Sequence, residues 1–337
     1  MNKLYTRKIV LLSSIAVLLC IYIIQLVLSG RNGIKSMPLE AEIDALTVQT
    51  ASSELRLTLR DGSWFVSRGE GQTEYEAAQS IVDGMLSDVK ELKLLATAAR
   101  SAGSDSARYG LDDASQIVVT AYSSSKPVRT LHVGKATSTN SQNYVQLDND
   151  AAVYIVGSAM SRDFDKQCDD VRSKSIYSLG DDALIERISC TSYPQPSDGQ
   201  ASGGQPERFS FVREEAAPAE DDGESVSVSK TSWKLTAGTV EAGKEVDSDK
   251  VSNWASSLSL LNTSAWLPDA SPVPAGYQLA SELSFTAGGE DYSMKLYRGT
   301  EGDEDAYVMS CSTSPYLFKV ASYVASRYTK KLSDFLK

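Results

Sequence analysis

The chain has 337 residues, of which 42% are hydrophobic, and its 44 acidic and 33 basic side chains give a net charge of −11. This length allows more than one domain, each large enough to bury a hydrophobic core. The acidic excess repels nucleic acid and anionic lipid headgroups, so we exclude nucleic acid as a partner.

The first element is an apolar segment, Ile9–Leu28, that carries no charged side chain. A helix of about 20 residues spans roughly 30 Å, the thickness of a bilayer's hydrocarbon core. The alternative is a cleaved signal peptide, whose apolar region is shorter, about 7–15 residues, and is followed by a small-residue cleavage site. Leu28-Ser29-Gly30 resembles such a site only weakly. We therefore expect residues 1–35 to form a cytoplasmic tip and a retained transmembrane anchor.

The charges around this segment predict the orientation of the chain. All five charged side chains in residues 1–35 are basic, and most of them precede the apolar segment. The positive-inside rule then places the N-terminus in the cytoplasm and the bulk of the chain outside it. Without these five, 28 basic residues face 44 acidic ones, so the extracytoplasmic part is predicted to be strongly acidic.

Beyond the anchor, residues 41–173 and 183–337 look like two copies of one structural unit. Landmarks recur in the same order, pairing Ser63-Trp64 with Ser232-Trp233, Tyr109-Gly110-Leu111 with Tyr277-Gln278-Leu279, Tyr144-Val145 with Tyr307-Val308, and Phe164 with Tyr328. The matching positions are apolar, aromatic or turn residues, so what is repeated is a core and not a catalytic constellation. We expect two tandem α+β repeats, with both tryptophans and both closing aromatics buried at equivalent places.

Copy one is predicted to be an antiparallel sheet with packed amphipathic helices. Leu55, Leu57 and Leu59 alternate with polar residues before an Asp61-Gly62 turn, which is typical of a hairpin. Thr73 and Glu76 match a capping box, and the helix they open has apolar positions from 78 to 92. Four strands and a closing helix are then expected at Ile117–Tyr122, Val128–Val133, Tyr144–Leu147, Val153–Val156 and Met160–Val171, respectively.

Copy two is predicted to repeat this order after a short linker, Lys174–Asp182. Strands are expected at Leu184–Cys190, Glu207–Arg213, Ser225–Leu235, Glu282–Phe285, Tyr292–Tyr297, Ala306–Cys311 and Tyr316–Val320. Helices are expected at Asp249–Leu261 and Tyr323–Leu336. The low-complexity tracts Pro194–Pro206 and Glu214–Glu224 fall at the first two hairpin tips, where the backbone is already solvated.

Three cysteines lie beyond the anchor, an odd number that argues against a disulfide framework. Cys168 occupies a repeat position that Leu332 holds in the other copy, so it is predicted to be a core residue. Cys190 and Cys311 both fall on predicted strands of copy two, and a bridge between them is left open.

No catalytic, cofactor or metal-binding residue is predicted. His132 is the single histidine of the sequence and lies inside a strand pattern. A zinc site with several histidine ligands is therefore excluded. Ser87-x-x-Lys90 and Ser123-x-x-Lys126 have the spacing of penicillin-recognising enzymes, but the partner motifs S-D-N and K-T-G are missing. The acidic runs Glu214–Glu224 and Glu301–Asp305 lack the spacing of a calcium loop and are interpreted as solvated loops.

The order of a helix, Tyr109-Gly110-Leu111-Asp112-Asp113, paired strands with Asn143–Asp148 and Val153–Val156, and a closing helix resembles a bacterial family, domain of unknown function 4340. The resemblance includes the membrane helix and covers nearly the whole chain, although copy two has Gln278 in place of the turn glycine. Members of that family are often encoded beside ABC-transporter permeases and gliding-motility-like auxiliary proteins. The resemblance implies an extracytoplasmic accessory subunit of an export complex and carries over no catalytic residues.

Our leading hypothesis is therefore a non-enzymatic, single-pass membrane protein that serves as an accessory or scaffolding subunit of an ABC-type export complex. It needs no cofactor, and its partners are the membrane and other proteins of the complex. The alternative is a cell-envelope module that binds glycan or peptide. A third hypothesis, a hydrolase with an acidic site, requires a buried pair of carboxylates with displaced pKa values.

Overall fold

The computed structural model describes residues 13–24, 34–138, 140–148, 150–180, 183–194, 204–214, 232–240 and 244–337. The chain divides into two compact units, unit 1 (Met1–Ser173) and unit 2 (Lys174–Lys337). Antiparallel sheet dominates both units and helices pack on it, which is the predicted α+β class.

Residues 13–24 form an exposed helix, α1. Both ends of the predicted anchor, residues 9–12 and 25–28, lie outside the described residues. Among the helices that the structure describes, none combines the length and hydropathy that a membrane crossing needs. The retained anchor therefore stays a prediction.

Unit 1 contains an antiparallel sheet of ten strands. These are β1 (Lys35–Pro38), β2 (Ala45–Gln49), β3 (Glu54–Arg60), β4 (Ser63–Ser67), β5 (Tyr75–Glu76), β6 (Glu91–Ala99), β7 (Ile117–Ser123), β8 (Lys126–Ala136), β9 (Asn143–Leu147) and β10 (Val153–Val156). Their order across the sheet is β1-β6-β10-β9-β8-β7-β2-β3-β4-β5. The helices are α2 (Gln79–Lys90), α3 (Ser106–Tyr109), α4 (Met160–Phe164) and α5 (Cys168–Val171), with a 3₁₀ turn at Gly103–Asp105.

Unit 2 contains an eight-stranded sheet and a two-stranded ribbon. Its strands are β11 (Ser175–Ser178), β12 (Ile185–Ser192), β13 (Glu207–Glu214), β14 (Ser232–Ala237), β15 (Leu260–Asn262), β16 (Ala265–Trp266), β17 (Gln278–Ala287), β18 (Glu290–Glu301), β19 (Glu304–Cys311) and β20 (Ser314–Val320). The sheet order is β14-β13-β12-β17-β18-β19-β20-β16, and β11 pairs with β15. The helices are α6 (Ser248–Ser257), α7 (Ser322–Tyr328) and a 3₁₀ turn at Leu332–Phe335.

The strand order of unit 2 repeats that of unit 1. The run β4-β3-β2-β7-β8-β9-β10-β6 corresponds strand by strand to β14-β13-β12-β17-β18-β19-β20-β16. The pairing of β1 with β6 has its counterpart in the pairing of β11 with β15. Isolated bridges also correspond, Ala77 with Arg172 in unit 1 and Val246 with Leu336 in unit 2. The two units therefore share one topology.

Helices cover one face of each sheet, and the aromatic landmarks lie beneath them. Trp64 and Trp233 are 5% and 6% exposed, and Phe164 and Tyr328 are 0% and 1% exposed, as predicted. Each of these side chains contributes about 2 kcal/mol or more of hydrophobic stabilisation when fully buried. Unit 2 adds an aromatic cluster in its core, formed by Phe209, Phe211, Trp254 and Phe335.

The predicted start and end of α2 were wrong. Tyr75 and Glu76 form β5, which pairs with Val66 and Phe65 of β4, so the capping box does not form and the helix begins at Gln79. The helix ends at Lys90, and Leu92 belongs to strand β6. Leu92 fits both the helical and the strand period, because it continues the apolar stripe of the helix and also alternates with polar neighbours along β6.

Other predicted bounds were also too long or incomplete. The closing helix Met160–Val171 is two short helices, α4 and α5, and Tyr323–Leu336 is α7 followed by a 3₁₀ turn. Helix α6 ends at Ser257, short of the predicted Leu261, because Leu260–Asn262 pairs with β11 inside the predicted linker. Residues 225–231 of a predicted strand lie outside the described part of the chain.

The positions of the cysteines exclude the Cys190–Cys311 disulfide bond that the sequence left open. Cys190 and Cys311 are free and buried. They lie in one cross-strand row, separated by Leu283 and Met294. Three strand spacings of about 4.8 Å separate their Cα atoms by roughly 14 Å, twice the distance that a disulfide spans. Cys168 is 5% exposed and its counterpart Leu332 is 4% exposed, so the predicted core role of Cys168 is confirmed.

Candidate functional site

The residues that the sequence analysis considered as candidates for catalysis or metal binding do not lie together in one site. His132 lies on β8, partly buried, with Nδ1 2.9 Å from Gln116 Oε1. Ser87 and Lys90 lie on α2, whereas Ser123 and Lys126 flank the turn between β7 and β8. Within the described residues, no group of His, Cys, Asp and Glu side chains has the arrangement of a metal site.

The acidic run Glu301–Asp305 forms the turn between β18 and β19, and basic side chains pair with its ends. Arg298 donates three hydrogen bonds to Asp305, at 2.8, 2.9 and 3.1 Å, and Lys319 pairs with Glu301. Such pairing is typical of a solvated turn. Of the other acidic run, Glu214 alone lies within the described residues.

The candidate site that the structure presents is a row of serines across unit 2, which we call the serine row. Cross-strand pairing joins Ser210 to Ser189, Ser189 to Ser284, and Ser284 to Ser293. Ser293 N donates to Ser312 Oγ at 3.0 Å and extends the row to the end of β19. Because neighbouring strands lie about 4.8 Å apart, the row is roughly 19 Å long.

Strand alternation explains why these serines share a face. Their chain neighbours Ile188, Cys190, Leu283 and Phe285 are buried on the side that the helices cover. Successive side chains of a strand point to opposite faces, so the serines lie on the uncovered, outer face. Ser284, Ser293 and Ser312 are exposed there.

A groove of about 470 Å³ runs along the serine row and includes a charged pair. Glu282 and Lys295 are 3.0 Å apart, and Tyr193 Oη donates to Glu282 at 2.9 Å. The hydrogen bond from Lys295, followed by that from Tyr193, holds the pKa of the Glu282 carboxyl below its usual range. The same ion pair raises the pKa of Lys295. The groove therefore presents fixed charges of both signs beside a line of hydroxyl groups.

Unit 1 carries an equivalent row in the same register. It consists of Arg56, Thr47, Thr120, Thr130 and Asp148. Thr120 and Thr130 share a hydrogen bond of 3.3 Å between their hydroxyl oxygens. Thr130 N donates to Asp148 Oδ2 at 2.6 Å, the same local pattern that Ser293 and Ser312 form in unit 2. Both units thus repeat a polar outer row as well as a core.

A pair of carboxyl groups lies at another place, where α2 meets α4 in unit 1. Burial first, and then the charge of Asp163, raises the pKa of the half-buried Asp88 to about 6, while a hydrogen bond with Ser158 acts in the opposite direction. A cavity of about 450 Å³ that Glu91 and Lys93 also line lies beside it. The Asp163 side chain is 37% exposed, so the pair is more open than the hydrolase hypothesis requires.

Sequence reasoning missed both the serine row and the carboxyl pair. Each serine lies on a different strand, and a single serine in a strand carries no signal. Asp88 and Asp163 come together only through the packing of α2 against α4. An outward-facing polar position that recurs in both copies, such as Thr130 and Ser293, is the one signal that could have pointed to the row.

Comparison with known proteins places the chain in a family. The model for "Domain of unknown function (DUF4340)" matches residues 68–282, a span that begins in unit 1 and ends in unit 2. No curated protein and no solved structure matches the sequence. Since the match covers more than half of the 337 residues, the chain belongs to the DUF4340 family.

Proposed function

We propose that the protein is a membrane-anchored, extracytoplasmic accessory or scaffolding subunit of an ABC-type export complex, and that it acts by binding a protein partner and not by catalysis. The observation that carries this proposal is the outer face of the sheets, where both units place an equivalent polar row. The helices α2, α4, α6 and α7 pack on the opposite faces, so the outer faces are available to a partner.

The side chains of the serine row suit contact with another protein. Serine and threonine are short, so a partner's backbone can approach the sheet closely and few rotamers are lost when the surface is covered. Ion pairs at the edge of the row, such as Glu282 with Lys295, orient a partner more than they add affinity.

The charge of the unit 2 face also fits a protein partner. Two cross-strand rows flank the serines: one contains Arg208, Glu282 and Lys295, and the other contains Arg187 and Asp291. These charges nearly cancel, although the chain as a whole has a net charge of −11. A partner that meets this face is therefore spared most of the repulsion that the acidic chain produces elsewhere.

Site-specific photo-crosslinking in intact cells tests the proposal. A photoreactive amino acid is placed at Ser284 in unit 2 or at Thr120 in unit 1, both on the outer rows. Ser326, exposed on α7, is the matched control on the helix side. We expect Ser284 and Thr120 to crosslink to a permease of an ABC transporter, and Ser326 not to do so. Equal crosslinking from all three positions, or none to a permease, contradicts the proposal.

Thiol labelling tests the predicted location. In a Cys20→Ser background, Ser326→Cys supplies an exposed thiol, while Cys168, Cys190 and Cys311 are buried. We expect a membrane-impermeant thiol reagent to label Ser326→Cys in intact cells. Labelling that occurs only after lysis places this part of the chain in the cytoplasm and removes the extracytoplasmic assignment.

The groove along the serine row favours one second candidate, a cell-envelope module that binds glycan or peptide. Its volume of about 470 Å³ falls within the range of small-ligand sites, and its hydroxyl groups match polyhydroxylated ligands. Calorimetric titration with cell-wall muropeptides tests this reading. Saturable binding that Ser284→Val weakens, and that Thr236→Val on β14 leaves unchanged, favours it over the scaffold.

A further inference from the structure

The serine row of unit 2 forms the floor of a groove whose two sides are charged. The groove has a volume of about 470 Å³ and crosses four strands, which contribute the hydroxyl groups of Ser189, Ser284, Ser293 and Ser312. Ser210 Oγ donates to Ser189 Oγ at 2.9 Å, so the floor is ordered where β13 joins it. Because these side chains are short, the main body of a bound molecule can come close to the sheet.

The two flanking rows are separated by about the width of an α-helix. On β12, Arg187 and Thr191 lie on either side of Ser189 and belong to opposite rows. Four residues at about 3.3 Å each place these rows roughly 13 Å apart. An α-helix with its side chains has a diameter of about 10–12 Å, and the serine row, roughly 19 Å long, matches a helix of about 13 residues.

The backbone under the groove favours a helix over an extended segment. Strands β12, β17, β18 and β19 are each paired on both sides, so their N–H and C=O groups are already used within the sheet. An extended segment on this face would find only serine hydroxyls for its own backbone groups, whereas a helix bonds its backbone internally. A partner strand would add to an edge of the sheet, and the serine row does not lie at an edge.

Two arginines make one end of the groove positive. Arg187 and Arg208 lie in opposite flanking rows where β12 pairs with β13, and both are exposed. Neither forms an ion pair among the described residues, whereas Glu282 and Lys295 pair at 3.0 Å and Asp291 accepts a hydrogen bond of 2.6 Å from its neighbour in the row. Acidic side chains and the C-terminal end of a helix, where free carbonyls carry partial negative charge, suit this end.

The equivalent face of unit 1 is built differently. Its polar row itself carries the charges, with Arg56 at one end and Asp148 at the other. Its flanking rows contain bulkier side chains, such as Tyr122 on one side and His132 and Gln146 on the other. A floor of serines between two charged flanks therefore belongs to unit 2.

We propose that the serine row of unit 2 holds a single α-helix of the partner, which lies across the strands. Small side chains of the helix contact the serines, and its acidic residues and C-terminal end lie near Arg187 and Arg208. Helices that dock in grooves make contact through residues spaced three and four apart. This inference rests on the proposed function, because it names the form in which the protein partner meets the outer face.

Mapping of photo-crosslinks along the row, with the full chain in intact cells, tests the helix. The photoreactive amino acid is placed in turn at Ser189, Ser284, Ser293 and Ser312, and mass spectrometry identifies the crosslinked residue of the partner. These positions span three strand spacings of about 4.8 Å, so at about 1.5 Å per residue we expect a total shift of about ten residues toward the helix N-terminus. An extended segment would shift by only about four.

Charge reversal tests the polarity of the groove. Arg187→Glu combined with Arg208→Glu is expected to lower the crosslinking yield from Ser284 by about tenfold, because two attractions become repulsions. Lys331→Glu combined with Lys337→Glu makes the same change of charge at two exposed positions outside the flanking rows, and is the matched control with unchanged yield. Arg187→Gln combined with Arg208→Gln removes the charges without reversal and gives a smaller loss if the reversed variant fails to fold.

Three results overturn the proposal: a total shift nearer to four residues than to ten, crosslinks scattered over separate segments of the partner, or an unchanged yield in the arginine variants. Crosslinks to a permease without the regular shift overturn the helix and leave the proposed function standing. A regular shift of about ten residues in a protein that is not a permease does the reverse. If no position crosslinks to any protein, both proposals are overturned.

Discussion

The two units differ most clearly where the helix after the first hairpin meets the closing helix. In unit 1, Asp88 on α2 lies near Asp163 on α4, and the charge of Asp163 helps to raise the pKa of Asp88. In unit 2 the equivalent positions hold Ser257 and Arg327, and Arg327 Nη1 donates to Ser257 O at 3.1 Å. One junction brings two acids together, while the other is closed by a cation and a carbonyl.

The residues beneath this junction do not differ in the same way. Phe164 and Tyr328 are both fully buried next to it. Trp254 of α6 also donates from Nε1 to Arg327 O at 2.7 Å, a bond that Met85, its counterpart in unit 1, has no donor to make. The comparison shows that the shared topology depends on apolar packing at the core positions, whereas the polar rim can specialise in each unit.

The largest expected effect comes from emptying the shared core position. Phe164→Ala and Tyr328→Ala each remove a fully buried ring, and each is expected to lower the free energy of unfolding by about 3–5 kcal/mol. Urea denaturation, monitored separately for each unit, measures it. Tyr323→Ala, on a side chain 70% exposed, is the control with almost no effect. A loss below about 1 kcal/mol at either position breaks the equivalence of the two units.

The next effect is a pH dependence confined to unit 1. The folded state raises the pKa of Asp88 from 3.8 to about 6, so between these values the folded chain binds more protons than the unfolded chain. Stability from this group is therefore present below about pH 4 and is lost as the pH rises through 6. Because the carboxyl is only half-buried and solvent screens it, we expect a loss of about 1–2 kcal/mol, measured by denaturation at pH 4, 5, 6 and 7.

Variants at the junction isolate this effect. Asp88→Asn is expected to remove the pH dependence and to stabilise unit 1 at pH 7. Asp88→Ser combined with Asp163→Arg installs the side chains of unit 2, and the dependence should vanish there too. Ser257→Asn is the control in unit 2, where no change with pH is expected in this window. If the free energy of unfolding still changes with pH in both Asp88 variants, the pH dependence comes from other titratable groups.

A smaller effect is expected from Tyr328→Phe, which gives unit 2 the side chain of unit 1. The hydroxyl groups of Tyr177 and Tyr328 are 3.0 Å apart, and Tyr177 Oη also donates to Leu258 O at 2.9 Å. Tyr177 keeps its carbonyl partner, so we expect a loss of about 0.5–1.5 kcal/mol in urea denaturation. Tyr177→Phe leaves the Leu258 carbonyl without this donor and should cost more. A larger loss from Tyr328→Phe than from Tyr177→Phe shows that the bond to the Leu258 carbonyl is not the more stabilising of the two.

The smallest effect is expected on the outer face. Ser284→Ala removes an exposed hydroxyl and should change the free energy of unfolding by less than about 0.5 kcal/mol. Ser281→Ala is the buried comparison on the same strand, because the Ser281 hydroxyl has no partner among the described residues and its removal costs little or stabilises. A large loss from Ser284→Ala indicates that the serine row supports the sheet and does not serve a partner.

The sequence by itself determined the α+β class, the recurrence of the aromatic landmarks and most strands, because these follow from local periodicity and turn chemistry. Leu57 lies in the alternating pattern of β3, and Trp64 follows the Asp61-Gly62 turn into β4, wherever these strands lie in the sheet. Local patterns failed where one residue satisfies two periods, as Leu92 does, or where a segment such as β11 becomes a strand only by pairing with β15.

Only the tertiary structure decided the sites. The serine row depends on the register of β13, β12, β17, β18 and β19, which aligns single serines from segments that are far apart in the chain. Asp88 and Asp163 meet because α4 packs against α2. Such placements depend on long-range packing, which no local window of sequence contains, and so the physical reason is the same in each case.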